Sequence, residues 1–186
     1  MLYFPSLETI LSHITDLTAQ SDAAPTILID GPSGSGKTTL ATAIHEHWLE
    51  SAPLQVVHMD DIYPGWNGLA QGVLTAGRML RERSSGMDTT WQQYDWNTQS
   101  LTSWNTIYAD VPLLLEGCGS LPQGAQHAAH VRIWLDADAT VRHERALSRV
   151  GENFAEHWNG WDAQFAEYVR IHNPQAKATL VVLSNE

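Results

Sequence analysis

Gly31-Pro-Ser-Gly-Ser-Gly-Lys37-Thr38 fits the pattern G-x-x-x-x-G-K-[ST]. Each position has a chemical reason. Small residues let successive backbone N–H groups curl around a phosphate. A helix opening at Lys37 adds its positive dipole end. The lysine reaches the outer phosphates, and the Thr38 hydroxyl is a hard oxygen ligand for Mg²⁺. The flanks supply the required context: Thr26-Ile-Leu-Ile-Asp30 is an apolar run suited to a buried strand, and Lys37 to Glu50 reads as a helix. Gly31, Ser33, Gly34, Ser35, Gly36, Lys37, Thr38 and Thr39 are therefore the candidate nucleotide-binding residues, with ATP and Mg²⁺ as the expected cofactors.

Two further groups carry charge suited to phosphate chemistry. Val56-Val-His-Met-Asp60-Asp61 places two carboxylates just past a second strand, and Leu113-Leu-Leu-Glu116 ends a third on one. In a parallel sheet all C-terminal strand ends share one edge, so Asp60 or Asp61, Glu116 and the glycine-rich loop converge there. A carboxylate beside Mg²⁺ is a ligand, and one beside a substrate hydroxyl can accept its proton. Arg142, Arg145 and Arg149 are spaced three and four apart, on one face of a helix. Guanidinium groups so grouped repel one another unless anions answer them, which nucleotide phosphates do; pairing with Asp138 and Glu144 is the alternative. A third group is aromatic: Tyr63, Trp66, Tyr94 and Trp96 fall between the second and third strands, where rings can stack on a flat or sugar-like group. Trp91 and Trp104 read as core of the same segment. Two histidine pairs, His45/His47 and His127/His130, lack an evident third metal ligand.

These residues need a scaffold. Five strands are expected at 26–30, 55–59, 112–116, 131–135 and 179–183, with helices at 6–19, 37–50, 138–150 and 160–172. Alternating strands and helices define an α/β domain with a parallel sheet. The whole chain, 1–186, reads as one domain, with an insertion at about 64–110 and a lid at about 138–152. Helices are expected near 69–83 and 98–109 inside the insertion. With 186 residues, 43% hydrophobic, the chain can bury a full core. The net charge of −11 opposes nonspecific nucleic-acid binding. No run of about 18 apolar residues suggests a membrane span. The single cysteine, Cys118, and the lack of a recognisable leader fit a cytoplasmic protein.

The four elements together resemble the uridine kinase family of P-loop small-molecule kinases. They are the Gly31-Pro-Ser-Gly-Ser-Gly-Lys-Thr-Thr39 loop, Asp60-Asp-Ile-Tyr63, Leu113-Leu-Leu-Glu116-Gly117, and Asp136-Ala-Asp138 followed by Arg142, Arg145 and Arg149. They span residues 26–149 in the family's order. The resemblance implies a three-layer P-loop NTPase sandwich with its parallel sheet ordered 2-3-1-4-5. It implies Asp60 as the base facing the acceptor hydroxyl, Thr38 and Glu116 around the metal, and the three arginines closing over the phosphates; Asp60 is expected to face Mg²⁺ as well. Uridine kinases commonly carry Phe-Asp-His-Pro where this chain has Tyr94-Asp95-Trp96-Asn97, so Asp95 is expected to bind ribose-like hydroxyls and the base-binding residues differ. The expected activity is ATP-dependent phosphoryl transfer to a hydroxyl of a nucleoside or nucleoside-like molecule. A nucleoside monophosphate kinase is the close alternative, with Arg78, Arg81 and Arg83 as acceptor-phosphate cations. A regulatory ATP-binding protein is the other, and it requires Trp66 and Tyr94 on an exposed interface.

Overall fold

Short apolar runs that must be buried on both faces become the strands of one parallel sheet. In a computed structural model, which describes residues 6–19, 23–48, 53–150 and 152–184, the elements follow one another along the chain. They are α1 (Leu7–Thr18), β1 (Thr26–Asp30), α2 (Lys37–Glu46), β2 (Gln55–His58), α3 (Leu69–Ser84), β3 (Thr89–Asp95), β4 (Ser100–Ile107), β5 (Leu113–Glu116), β6 (Val131–Asp136), α4 (Ala139–Val150), α5 (Glu152–His172), α6 (Pro174–Lys177) and β7 (Leu180–Leu183). The main sheet runs β2-β5-β1-β6-β7, every pair parallel. Counted along this sheet alone, that is the order 2-3-1-4-5. Residues 49 and 50 of the expected second helix lie outside the described residues, and α5 begins eight positions before the expected 160.

The period of two along β1 sorts the core into two layers. Ile27 and Ile29 pack with Ile10, Ile14, Ala41 and Ile44 of α1 and α2. Leu28 packs on the other side with Val73 and Met79 of α3 and Phe165 of α5. Helices thus cover both faces, and β1 has no polar face to alternate. Ser6 caps α1 by accepting the Thr9 N–H at 3.2 Å.

The insertion departs from expectation at its second half. Residues 98–109 form no helix; β3 and β4 make an antiparallel hairpin. The segment is rich in β-branched and aromatic residues, which favour a pleated surface. Asp95 shapes the turn by accepting the N–H groups of Asn97 at 2.8 Å and Thr98 at 3.4 Å. Trp91 and Ile107 enter the core as anchors. Trp104 faces the other side and is 67% exposed, so it is not the core residue its type suggested.

Arg83 ties the insertion to the base of the sheet. Its buried guanidinium donates to Thr26 Oγ1 (3.0 Å) and to the carbonyls of Val111 (2.7 Å), Ala24, Pro25 and Tyr108. Arg83→Ala leaves these acceptors without their donor and is expected to lower unfolding stability by about 1 to 3 kcal/mol. Urea unfolding measures it, and a loss below about 0.5 kcal/mol contradicts this role.

Candidate active site

The glycine-rich loop closes on itself. The carbonyl of Pro32 accepts the Lys37 ammonium at 2.8 Å and the Ser35 N–H at 3.3 Å. Gly31 and Gly34 have φ of 149° and 79°, and each meets backbone where a side chain would begin. A Cβ would lie 1.8 Å from the Leu135 carbonyl oxygen at Gly31 and 2.1 Å from the Arg142 carbonyl oxygen at Gly34. Only glycine allows that approach, which seats the first turns of α4 directly on the loop. Ser35 is fully buried, and its hydroxyl lacks a hydrogen-bond partner among the described residues. An orphaned buried hydroxyl in a loop of this composition fits one completed by a bound phosphate group or water.

Beside the loop, three strand ends meet. His58 and Glu116 are the last register pair of β2 and β5, so their side chains emerge side by side. Glu116 is buried, and its Oε1 accepts the Thr38 hydroxyl at 3.0 Å and His58 Nδ1 at 2.7 Å. A carboxylate accepts, so Nδ1 carries the proton. The hydrogen bond to Glu116 raises the His58 pKa, with burial opposing it. Thr38 and Glu116 are hard oxygen donors of the kind Mg²⁺ takes, and they stand together where the loop enters α2.

Below them lies a second buried carboxylate. Asp30 ends β1 and accepts the N–H groups of Gly31 (2.7 Å), Gly119 (2.9 Å) and Leu121 (2.9 Å) and the Tyr168 hydroxyl (2.5 Å). Burial raises its pKa while these donors pull it down. Asp30 therefore joins the root of the phosphate loop to the turn after β5 and to α5. Cys118 fills the space between, its thiol 3.3 Å from the Gly31 carbonyl, and burial pushes that thiol up.

The arginines divide. Arg142 is mostly buried against the loop, its NH1 3.3 Å from the Ser33 carbonyl and its Nε 3.8 Å from Asp136 Oδ1. Arg145 donates instead to the Ser184 carbonyl and hydroxyl at 3.2 and 3.1 Å, past the end of β7. The Arg149 side chain lies outside the described residues.

On the acceptor side, two expected contacts are corrected. Tyr63 is 1% exposed; its hydroxyl donates to the Cys118 carbonyl at 2.5 Å and its ring meets Trp161 edge-on. It is a core residue behind the site. Arg78 is bound up in structure, donating to Glu82 (2.7 Å), Thr89 Oγ1 (3.1 Å) and the Thr90 carbonyl (2.6 Å), so it fastens α3 to the hairpin. Trp66, Tyr94 and Trp96 are half-buried and packed together. Trp66 lies 4.8 Å from Trp96 and stacks at 4.6 Å on His157 of α5, while Tyr94 meets Trp96 edge-on at 5.2 Å. The Trp96 indole N–H donates to the Asp60 carbonyl at 2.8 Å, which fixes the hairpin tip to the turn bearing Asp60. Asp60 itself is exposed at the sheet's C-terminal edge. Asp95 Oδ1 accepts from the hairpin turn, which holds its carboxyl below the usual range.

His58, Asp30, Tyr168 and His157 were not foreseen. The signal for His58 was available: in a 2-3-1-4-5 sheet the second and third strands are neighbours, so residues ending both can touch. Two cavities lie elsewhere. One, of about 650 Å³, sits around Arg83 and His130 at the opposite end of the sheet. The other, of about 500 Å³, is an apolar groove between α3 and α5. Neither is lined by the loop, Glu116 or Asp60.

No family model and no curated protein matches the sequence. Solved structures do match in fold. A protein described as a possible uridine kinase from Bacillus stearothermophilus has a TM-score of 0.62 at 20% identity, over 95% of this chain and 96% of that one. A protein provisionally described as a fructose transport system kinase from Silicibacter sp. TM1040 has a TM-score of 0.57 at 14% identity, over 95% and 98%. The YGR205w protein has a TM-score of 0.56 at 11% identity, over 97% and 95%. The chain therefore has the α/β fold of these P-loop kinase-like proteins.

Proposed function

We propose that the protein is an ATP-dependent kinase that transfers a phosphoryl group to a hydroxyl of a neutral small molecule, a nucleoside or nucleoside-like compound. The contact of Thr38 with Glu116 at 3.0 Å, beside a lysine-closed phosphate loop and in line with Asp60 along the strand ends, is the observation that carries this reading. The loop N–H groups, Lys37 and Arg142 hold the phosphates. Thr38, Glu116 and Asp60 would hold Mg²⁺, which supplies charge neutralisation at the phosphates. Asp60 accepts the proton of the acceptor hydroxyl, whose oxygen bonds to the γ-phosphorus as the bond to the β–γ bridging oxygen breaks and ADP leaves.

A neutral acceptor is favoured over a nucleoside monophosphate because Arg78 and Arg83, two of the three cations available for an acceptor phosphate, are engaged in hydrogen bonds within the fold. A regulatory interface is disfavoured because Trp66 and Tyr94 are half-buried among aromatic neighbours. The matching structures described as uridine and fructose-system kinases support nucleosides and sugars as the first compounds to try. An ATP-consumption screen over nucleosides, sugars, vitamins and nucleoside monophosphates tests the proposal, with Lys37→Ala as background control. A nucleoside or sugar should stimulate ADP release above that control. Stimulation by monophosphates alone, or by nothing, overturns it.

A further inference from the structure

We propose that His58 is a positioning residue of the metal site, which orients Glu116 and, through it, the Thr38 hydroxyl; this rests on the kinase reading above. The register of β2 against β5 places His58 and Glu116 side by side at the last rung of the sheet. On the face turned to α2, Glu116 Oε1 then accepts two donors, His58 Nδ1 at 2.7 Å and Thr38 Oγ1 at 3.0 Å. A hydroxyl has one proton and two lone pairs. With its proton directed at Glu116, Thr38 presents its lone pairs away from the carboxylate, the orientation a cation ligand requires. The second carboxylate oxygen of Glu116 is left to accept from water in a cation's shell.

His58 sets this arrangement because it holds, at 2.7 Å, the same carboxylate oxygen that accepts the Thr38 hydroxyl. Without the imidazole, Glu116 is a buried carboxylate with one protein donor fewer, free to rotate or to draw in water. The Thr38 proton then loses its fixed acceptor. Partners of metal ligands that act in this manner change metal affinity by about 10- to 100-fold when removed. A residue that merely filled space between β2 and α2 would affect folding, with no selective effect on the metal.

The experiment is calorimetric titration of ADP into the full chain, with Mg²⁺ and again with excess EDTA, for the parent, His58→Ala and His58→Asn. Asparagine carries an amide N–H near the place of Nδ1. The parent should bind ADP more tightly with Mg²⁺ than without. His58→Ala should lose about tenfold or more of that gain while its metal-free ADP affinity stays at the parent value, which also reports an intact fold. His58→Asn should recover most of the gain. An undiminished gain in His58→Ala overturns the proposal, and so does His58→Asn behaving like His58→Ala. A parent chain that binds no ADP under either condition overturns the kinase reading instead.

Discussion

Asp60→Asn is expected to bind ATP as the parent chain does and to lose phosphoryl transfer by about 10² to 10⁴-fold, the usual contribution of a positioned general base. Asparagine keeps the shape of the side chain and loses its capacity to take a proton. The backbone at this position is fixed independently of the side chain, by the 3₁₀ turn Met59–Asp61 and by the Trp96 indole N–H on the Asp60 carbonyl. The substitution therefore tests chemistry with little disturbance of geometry. Nucleotide titration and steady-state rates with the acceptor found by screening measure the two quantities. Transfer within a fewfold of the parent's would remove Asp60 from the role of base.

The second large effect separates two arginines that sequence spacing makes equivalent. Arg142→Ala is expected to lower kcat on the order of 10³-fold, the scale for an arginine that stabilises charge on a transferring phosphoryl group. Arg142 lies against the loop, with its NH1 3.3 Å from the Ser33 carbonyl and its Nε 3.8 Å from Asp136 Oδ1, so its guanidinium is held beside the residues expected to bind phosphate. Arg145 donates to Ser184 at the edge of the loop and is expected to cost about tenfold when replaced by alanine, through the placement of α4. Comparing kcat for the two variants decides the matter. A larger loss for Arg145 would mean that α4 rotates on the loop when nucleotide binds, and that Arg145 is the residue at the phosphates.

The parts of this structure that could be read from the chain are those whose meaning is local. The main-sheet strands are short apolar runs, and the phosphate loop is a contiguous motif with strand and helix on either side. The hairpin was unreadable for a physical reason. β4 is exposed along most of its length, so it lacks hydrophobic alternation. Opposite Gln93 it also carries two residues, Thr102 and Ser103, and this bulge breaks the period of two. Misreadings in the site share another cause. Tyr63 and Arg78 are polar-tipped residues in a segment rich in candidate ligands, and only their distant partners, Trp161 and the Cys118 carbonyl for one and Thr89 and Thr90 for the other, show that they are structural. His58 was overlooked for the converse reason: its partner lies 58 positions away, and only the strand order brings the two together.

The connection from β2 to β5 has a consequence for how such a protein changes over generations. Those strands are adjacent, and the candidate acceptor-side residues Asp60, Trp66, Tyr94, Asp95 and Trp96 lie in the single stretch of chain that crosses between them, with His157 of α5 stacked on Trp66. The candidate phosphate- and metal-binding groups are scattered over the ends of β1, β2 and β5 and the helices that follow β1 and β6. Insertions, deletions or exchanges within one continuous stretch can therefore reshape the acceptor side while the sheet keeps its order. Altering the phosphate side would require coordinated changes at several distant points in the gene. For the kinase proposed above, acceptor preference is the trait this architecture would leave free to diverge, and phosphoryl transfer is the trait it would hold constant.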